Sequence, residues 1–562
     1  MQRSTGKLSG TLRTLLALAL ITILPVLTHG QSVSGDLIGT IADQQGAVIP
    51  NAKVSATNVE TGVTATTTTN SAGSYRFPNL LVGKYDINVA APNFKTASLK
   101  AFLIELNKTA TANVVLTPGE VSTVVEVTAE APVLDTSTPQ LQNTYEIRQM
   151  QNMPLAAVGA TGSGVLNLSL LNAGVASSGG LGAGTGPSVS GQRPRNNNFS
   201  IEGVDNNNRT VTGPLVAVPN DAVENLTVLQ NQFSPEFGHS TGAQFNTVVI
   251  SGTNKFHGRV YEYFQNRNLN AVDVRNSSLK ENPRYDFNRL GGQLGGPIIK
   301  NKLFFFSNYE YNPLGQASNP GALTAPTAAG MAAINSASGL SATNKAVFMK
   351  YVPVANGPFV QNITVAGVTV PVGELNITSP SYVNTYFSTN SVDYNLSPSD
   401  QIRGRYLYDK SDSINNAADL SPFYTPFPNR FHLIAVNEYH TFSSTLQNEF
   451  RFGFNRFAQL LPVGPQSYPG LDAFPNIELD ELGINIGPDL NAPQRTIQNT
   501  YQLVDNVSWT KGAHQWKFGY DGRRVISPQQ FTQRSRGDYE YKKLDTFLRD
   551  LSPETFAERS LG

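Results

Sequence analysis

The length, composition and charge of the chain exclude several classes of protein. Its 562 residues are 40% hydrophobic, and 41 basic side chains balance 41 acidic ones. That hydrophobic content favours folded domains over disorder, and the balanced charge does not indicate binding to nucleic acid or an anionic membrane surface. The absence of cysteine excludes disulfide frameworks, thiolate metal sites and cysteine nucleophiles, and it suits a chain that crosses an oxidising compartment.

The first 30 residues have the layout of a secretory signal peptide. Basic residues precede the apolar run 15–24, and Pro25 and Gly30 follow it. The run is too short for a membrane-spanning helix, which needs roughly 20 residues, and no later segment offers one. The sequence therefore predicts export with cleavage near Gly30, and any membrane crossing by strands.

Residues 31–118 alternate short strands with turn residues, as a β-sandwich does. They resemble the carboxypeptidase regulatory-like domain, a transthyretin-like β-sandwich. The residues that carry this resemblance are Asn70, Gly73, Tyr75, Phe77, Leu81, Gly83 and Tyr85. Such domains accompany peptidases without holding their zinc. No histidine lies between His29 and His239, so no zinc cluster containing histidine is predicted here.

Residues 119–138 form a linker that contains the Val-rich run 121–130. An exposed extended segment of this kind suits addition to the edge of a partner's sheet, because its backbone groups are unpaired. The alternative is that the run is the last strand of the preceding sandwich.

Residues 139–254 indicate a compact domain of mixed α and β structure. A short helix is predicted over 144–152. Three β-rich runs are separated by Gly, Pro and Asn clusters, namely 199–204, 223–229 and 245–250. The Gly-rich stretch 182–186 lacks a full phosphate-binding fingerprint, and Arg209 stands where a calcium loop beginning at Asp205 needs another oxygen ligand. Both are interpreted as loops without a bound ligand.

From residue 255 onward the chain alternates aromatic and polar residues. In 449–455 three phenylalanines alternate with charged or small residues, and 402–408 and 514–521 follow the same pattern. Large aromatic side chains on one face and charged side chains on the other are typical of strands between lipid and a wet lumen.

The spacing of the predicted strands supports the same interpretation. They lie near 256–265, 285–295, 303–311, 381–395, 401–409, 432–442, 446–457, 499–509 and 514–523, with a tenth candidate at 538–541. The links between the nine run roughly 19, 7, 69, 5, 22, 3, 41 and 4 residues, alternating long and short as in outer-membrane barrels.

A resemblance to a known family covers nearly the whole chain after the predicted signal peptide. The stretch 223–253, with its Glu236–Gly238 turn and Asn246–Ile250 strand, resembles the end of the plug domain of TonB-dependent outer-membrane receptors. The hairpins at 290–306, 392–400 and 504–519 resemble those of the Oar-like branch. The fold implied is mainly β: signal peptide, transthyretin-like β-sandwich, α/β plug at 139–254, and the first part of an antiparallel transmembrane β-barrel at 255–562.

The resemblance implies a receptor in the cell outer membrane, with its N-terminal domain in the periplasm. It would import an external ligand, a carbohydrate or a peptide, using energy from the TonB complex. The implied TonB-contact residues are Val124, Val125, Glu126, Val127 and Thr128. The implied ligand-path residues are Gln192, Arg193, Arg195, Asn196, Asn197 and Asn198, with the loop 312–380 nearby.

No enzymatic activity, cofactor, metal site or nucleic-acid partner is predicted. The six histidines, at positions 29, 239, 257, 432, 440 and 514, show no metal-ligand spacing, and no Gly-x-Ser-x-Gly motif is present.

Two other functions remain open: a surface adhesion or protein-export component, and a soluble periplasmic protein that binds carbohydrate or peptide. The family closes its barrel with about twenty-two strands. An open sheet in lipid would leave backbone groups unpaired, so the sequence is expected to be a fragment of a longer protein.

Overall fold

The computed structural model describes residues 34–106, 108–120, 124–126, 141–153, 158–159, 162–177, 186–210, 213–231, 233, 236–238, 240–271, 282–318, 323–377, 379–443, 445–511 and 514–560. The predicted signal peptide lies outside these residues. Within them, no helix combines the length and the apolar composition needed to cross a membrane.

The first unit is a β-sandwich with its own apolar core. Its strands are β1 (Ser34–Asp43), β2 (Lys53–Asn58), β3 (Thr64–Thr68), β4 (Ser74–Leu81), β5 (Gly83–Ala90), β6 (Thr96–Ile104), β7 (Thr109–Thr111), β8 (Val114–Leu116) and β9 (Val124–Glu126). One sheet joins β4, β1, β7 and β8, and the other has the order β3-β2-β5-β6-β9. Leu37, Val54 and Ile87 are fully buried between them, as the inward side of alternating strands should be.

The second unit, for which we keep the name plug from the sequence prediction, is built on a five-stranded sheet of order β10-β17-β18-β15-β16. Its elements are β10 (Leu141–Glu146), α1 (Ile147–Asn152), β11 (Val158–Gly159), β12 (Gly162–Ser163), β13 (Val175–Ser177), β14 (Pro187–Val189), β15 (Asn198–Ile201), β16 (Val204–Asp205), β17 (Val223–Asn231) and β18 (Gln244–Val249), with 3-10 turns at Gly164–Leu171, Pro194–Asn196 and Asn220–Ala222. The helix predicted over 144–152 is shorter, because its first three residues pair with β17.

The rest of the chain contains strands of two different sheet systems. In chain order the elements are β19 (His257–Asn266), β20 (Tyr285–Ile299), β21 (Leu303–Ser318), β22 (Leu323–Pro326), α2 (Ala328–Ser336), α3 (Ala342–Tyr351), β23 (Phe359–Val365), β24 (Val368–Leu375), β25 (Ser379–Asn395), β26 (Asp400–Asn415), β27 (Thr425–Ser443), β28 (Leu446–Leu461), β29 (Asn476–Leu479), β30 (Ile484–Ile486), β31 (Gln494–Lys511), β32 (His514–Ile526), β33 (Gln529–Phe531), β34 (Asp538–Tyr541), α4 (Leu544–Leu548) and β35 (Phe556–Glu558), with a 3-10 turn at Ser421–Phe423.

The longest strands form one antiparallel sheet, the barrel sheet, of order β19-β20-β21-β25-β26-β27-β28-β31-β32, with β33 added to one end of β31. All nine predicted strands are confirmed. Most are longer than predicted, and the extra residues lie at the strand ends that join the long connections. The short links, which join β20 to β21, β25 to β26, β27 to β28 and β31 to β32, connect strand ends on one side of the sheet. The long connections, which join β19 to β20, β21 to β25, β26 to β27 and β28 to β31, connect strand ends on the other side.

Alternating side chains give the barrel sheet two chemically different faces. On β28, Glu449 and Arg451 are fully buried toward the plug, whereas Phe450 on the opposite face is 40% exposed. Trp516 and Phe518 of β32 are likewise exposed. The predicted division between an aromatic outer face and a polar inner face is therefore present, as expected for strands that face lipid on one side.

Parts of the long connections and of the chain after β33 fold together into a separate unit, here called the loop domain. It contains the sheet β22-β24-β23, the sheet β30-β29-β34-β35 and helices α2, α3 and α4. One apolar core joins them, and Phe348, Phe547 and Ile484 are each at most 1% exposed. The prediction that 538–541 is a tenth barrel strand is wrong: β34 pairs in parallel with β29 in this domain.

Candidate functional site at the plug and barrel interface

The plug contacts the barrel sheet through buried ion pairs. Arg405 lies on the inner face of β26 and is 3% exposed. Its guanidinium contacts Glu202 of the plug at 3.2 Å and Asp393 of β25 at 2.7 Å. Each buried charge thus has an opposite charge beside it, which a water-poor interface requires.

The same arrangement occurs at two other places. Arg523 lies between the plug carboxylate Asp205, at 2.8 Å, and Asp521 of its own strand, at 2.7 Å. Arg289 lies between the plug carboxylate Asp221, at 3.0 Å, and Glu310 of β21, at 2.9 Å. We call these three clusters the arginine triads. Each consists of a plug carboxylate, a barrel arginine and a barrel carboxylate.

Amide side chains of the barrel bind the plug backbone between the triads. Asn455 donates to the carbonyl oxygen of Asp205 at 2.7 Å, and the Oε1 atom of Gln502 accepts from the amide of the same residue at 2.7 Å. Gly453 lies between them on β28, and a Cβ there would collide with Val204. The plug backbone therefore lies directly against the barrel wall here.

A cavity of about 600 Å³, here called the plug–barrel cavity, lies at the long-connection half of this interface. The plug contributes Phe199, Ile201, Phe245 and the loop from Pro214 to Val218. The barrel contributes Val383, Thr385, Phe387, Asp409, Lys410, Ser411, Asn429 and Phe431. Its size and mainly apolar lining with a few polar groups are those of a small-molecule site.

Asp409 is the acidic residue in the cavity wall. It is 4% exposed, and one carboxylate oxygen accepts the backbone N–H of Ala217 at 2.7 Å. Among the residues that the structure describes, none forms an ion pair with Asp409. The ammonium of the adjacent Lys410 is occupied elsewhere, because it pairs with Asp412 and lies 5.3 Å from the centre of the Tyr386 ring.

A second cavity, of about 650 Å³, lies between the sandwich, the plug and the short-turn end of the barrel sheet, and we call it the junction cavity. Glu224 of the plug lines it together with Glu60 and Glu202. The pKa of Glu224 is raised to about 8, first by burial and then by the two nearby carboxylates, while Arg403 and Arg405 oppose the shift.

The six implied ligand-path residues lie beside the plug–barrel cavity and do not line it. Asn197 and Asn198 are buried within the plug, where their side chains donate to Pro187 O at 2.8 Å and Gln244 Oε1 at 2.7 Å. Gln192 accepts from Asn196 at 2.8 Å. Arg193 and Arg195 are exposed. A ligand path through these residues stays a prediction.

Part of the implied TonB-contact segment pairs with the sandwich. Val124–Glu126 forms β9, which runs parallel to Thr96–Ser98 at the edge of the sheet. The segment is thus a terminal strand of the sandwich, the alternative that the sequence left open. Val127 and Thr128 lie outside the described residues, and contact with TonB stays a prediction.

One group of side chains has ligand atoms close enough to hold a metal ion among the described residues. Asp400, Glu438 and His440 bring one atom each within 4.8 Å of one another, on adjacent strands β26 and β27. His440 Nδ1 lies 2.6 Å from Asp400 Oδ1. Sequence spacing missed this group because pairing between strands, and not a local motif, brings it together.

Sequence reasoning also missed Asp409. The prediction for 402–408 placed Arg403 and Arg405 on the polar face, and continuing that alternation by four residues reaches Asp409. The signal was therefore present. What the sequence does not show is that the loop 213–219 of the plug lies opposite this position.

Comparisons with known proteins agree with the geometry. The family model of an outer membrane beta barrel domain matches residues 248–562, and that of a carboxypeptidase regulatory-like domain matches 36–117. The TonB-dependent transporter Oar of Myxococcus xanthus is 27% identical over 285 residues, covering 49% of this chain and 26% of the relative. The chain thus spans about a quarter of the length of this curated relative.

Solved structures of similar fold include two outer-membrane proteins. The outer membrane transporter YddB of Escherichia coli has a TM-score of 0.46 at 12% identity, with 71% of this chain and 50% of that chain covered. The siderophore receptor PirA of Acinetobacter baumannii has a TM-score of 0.42 at 12% identity, with 70% and 49% covered.

The described fold is that of an outer-membrane β-barrel sheet with a plug against its inner face. Because the barrel family model covers more than half of the chain, the protein belongs to the outer membrane beta barrel family and is located in the outer membrane. The relative Oar is a TonB-dependent transporter, that is, a transport protein.

Proposed function

We propose that the protein is part of a TonB-dependent receptor that carries an external ligand across the outer membrane. The observation that supports this most directly is the way the plug is held. The arginine triads and the amide contacts fix the plug against the barrel wall, and the plug–barrel cavity lies beside them. The same interface also buries apolar barrel side chains, among them Leu407, Leu433 and Phe457, against the plug core.

The arginine triads are suited to reversible docking. When a plug carboxylate leaves, its arginine still contacts a barrel carboxylate, as Arg405 contacts Asp393 at 2.7 Å. No arginine is then left as an isolated buried charge, which would be strongly unfavourable. The import of a ligand past a displaced plug is compatible with this arrangement.

TonB is proposed to bind the segment Val124–Thr128 by strand addition. Within the sandwich, Val124–Glu126 has β6 on one side. TonB would pair with the free edge of this strand or replace β6 as its partner. Either mode places the pulling force on the chain between the sandwich and the plug.

The test is a binding assay with the full-length protein and the periplasmic domain of TonB. Val125→Pro removes a backbone N–H from the middle of the segment and should abolish binding. Val121→Pro, outside the five implied residues, is the matched control and should bind normally. Equal binding by both variants would contradict the assignment. If Val125→Pro loses ligand uptake but binds TonB normally, the defect does not lie in TonB binding.

The external ligand is proposed to reach the plug–barrel cavity from the side of the loop domain. Uptake of a candidate carbohydrate or peptide by cells with and without an inner-membrane proton gradient would test transport. Uptake that is independent of the gradient would favour the adhesion or protein-export alternative.

A further inference from the structure

The plug–barrel cavity presents hydrogen-bond acceptors from neighbouring strands. Asp409 of β26 lines it with a buried carboxylate, and Asn429 of β27 lines it with an amide oxygen that has no hydrogen-bond partner among the described residues. The two lie close together, because Asn429 pairs with Ser411, two residues after Asp409 on the same face.

The charge of this wall is not balanced within the described structure. Arg405, the nearest inward arginine on the same strand, is committed to Glu202 and Asp393. Lys410 also borders the cavity, but its ammonium pairs with Asp412. The cavity wall therefore contains one buried carboxylate with a single neutral donor, the N–H of Ala217.

The remaining lining is apolar and partly aromatic. Phe387 and Phe431 lie on the barrel side, and Phe199 and Leu215 lie on the plug side. A buried carboxylate in such surroundings is costly to ionise unless a cation accompanies it. A ligand with an apolar body and a positively charged nitrogen would satisfy both parts of the wall.

We propose that the plug–barrel cavity binds an organic cation, a primary ammonium or a guanidinium attached to an apolar group, whose charge pairs with Asp409. This inference rests on the proposed function in assigning the cavity to the transported ligand. Asn429 would accept a second N–H from the same group, and the phenylalanines would contact the apolar body. The site thus selects cationic over neutral and anionic ligands.

The experiment uses dansylcadaverine, a fluorescent primary amine, as the probe for the purified full-length protein in detergent. Its emission rises when the dansyl group enters an apolar site. The N-acetylated probe has the same body without the charge. We expect the amine to bind about tenfold or more tightly than the acetylated probe, the effect of one charge-assisted hydrogen bond.

Asp409→Asn should remove this preference while preserving the acceptor for Ala217. Asp409→Glu, which retains the charge, should preserve the preference. Asp286→Asn, at a partly exposed acid on β20 that pairs with Arg284, is the matched control and should behave as the wild type. Thermal melting of each variant shows whether the plug remains in place.

Three results would overturn the proposal: equal affinity for both probes, no saturable binding of either, or an unchanged preference in Asp409→Asn. Binding of TonB to the wild-type protein is measured in parallel. If TonB binds but the amine is not preferred, only the cation site is ruled out. If the amine is preferred but TonB does not bind, only the proposal of TonB coupling is ruled out.

Discussion

The plug–barrel interface and the loop domain differ in how much charge they bury. The interface buries ion pairs, such as that of Arg405 with Glu202 and Asp393, beside an apolar cluster that includes Leu407 and Phe457. The loop domain buries Phe348, Phe547 and other apolar side chains in one continuous core. Buried ion pairs contribute little net stability relative to apolar packing, but breaking one is costly. The docking of the plug should therefore depend on charge pairing to a degree that the folding of the loop domain does not.

We expect the largest effect on plug docking from the removal of Arg405. Arg405→Met leaves the carboxylates of Glu202 and Asp393 buried without their shared cation. We expect a loss of about 3–5 kcal/mol, because Glu202 loses its ion-pair partner and Asp393 keeps only the longer contact with Arg403. Limited proteolysis should then cleave the plug, while the loop domain remains resistant.

Arg403→Met is the matched control for this change. Arg403 is partly exposed and lies 3.7 Å from the same Asp393, so water can replace much of its interaction. Its loss should cost about 1 kcal/mol or less. Similar protease sensitivity in both variants would show that burial of the triad does not determine plug docking.

Truncation of a large side chain in the apolar core should lower the stability of the loop domain and leave the stability of the plug unchanged. Phe348 is 0% exposed, and Phe348→Ala is expected to destabilise the loop domain by about 3–4 kcal/mol. Phe359→Ala, at a side chain that is 60% exposed on β23 in the same domain, should cost little. Differential scanning calorimetry would measure both, and a fall in the plug transition with Phe348→Ala would contradict independent folding.

The sequence predicted the barrel strands well because their signal is local. Alternation in 449–455 needs only the chain itself, and the long and short links follow from turn residues close in sequence. The same reasoning explains the failure at 538–541. A short alternating strand resembles a barrel strand, but its pairing with Asn476–Leu479 depends on a connection distant in sequence.

The candidate site was harder to predict because it is built from distant segments. Asp409 and Ala217 lie 192 positions apart, and Arg523 and Asp205 lie 318 apart. Periodicity assigned inward faces correctly but did not show which inward residue meets which part of the plug. The ligand-path residues Gln192–Asn198 were chosen by position in the family, and several are occupied within the plug itself.

A smaller effect should appear as a pH dependence at the junction cavity. The pKa of Glu224 is about 8 in the folded protein, compared with an ordinary value of 4.5. Below the lower value the group is protonated in both states. Between the two values unfolding releases a proton, so stability falls as pH rises through this window and levels off above the higher value.

Glu224→Gln should remove this dependence. We expect the variant to be stabilised relative to the wild type at pH 8 by about 1 kcal/mol after screening by water, roughly 2–4 °C in Tm, and to match it near pH 4.5. Glu105→Gln alters a more exposed carboxylate that pairs with Lys108, and it should show no such trend. Equal Tm differences at both pH values would rule out Glu224 as the titrating group.

The smallest expected effect concerns the contact between the sandwich and the start of the barrel. Asn254 donates to Thr61 O at 2.7 Å and to Asn301 Oδ1 at 2.6 Å, and its Oδ1 accepts from Asn301 N at 2.8 Å. Asn254→Ala should cost about 0.5–1.5 kcal/mol, because water reaches the freed groups. Hydrogen exchange should rise at Asn301, whose backbone N–H loses its acceptor, and stay unchanged in the arginine triads. Faster exchange at the triads would mean that the sandwich helps to hold the plug, and the polar interface would then not be independent of its neighbours.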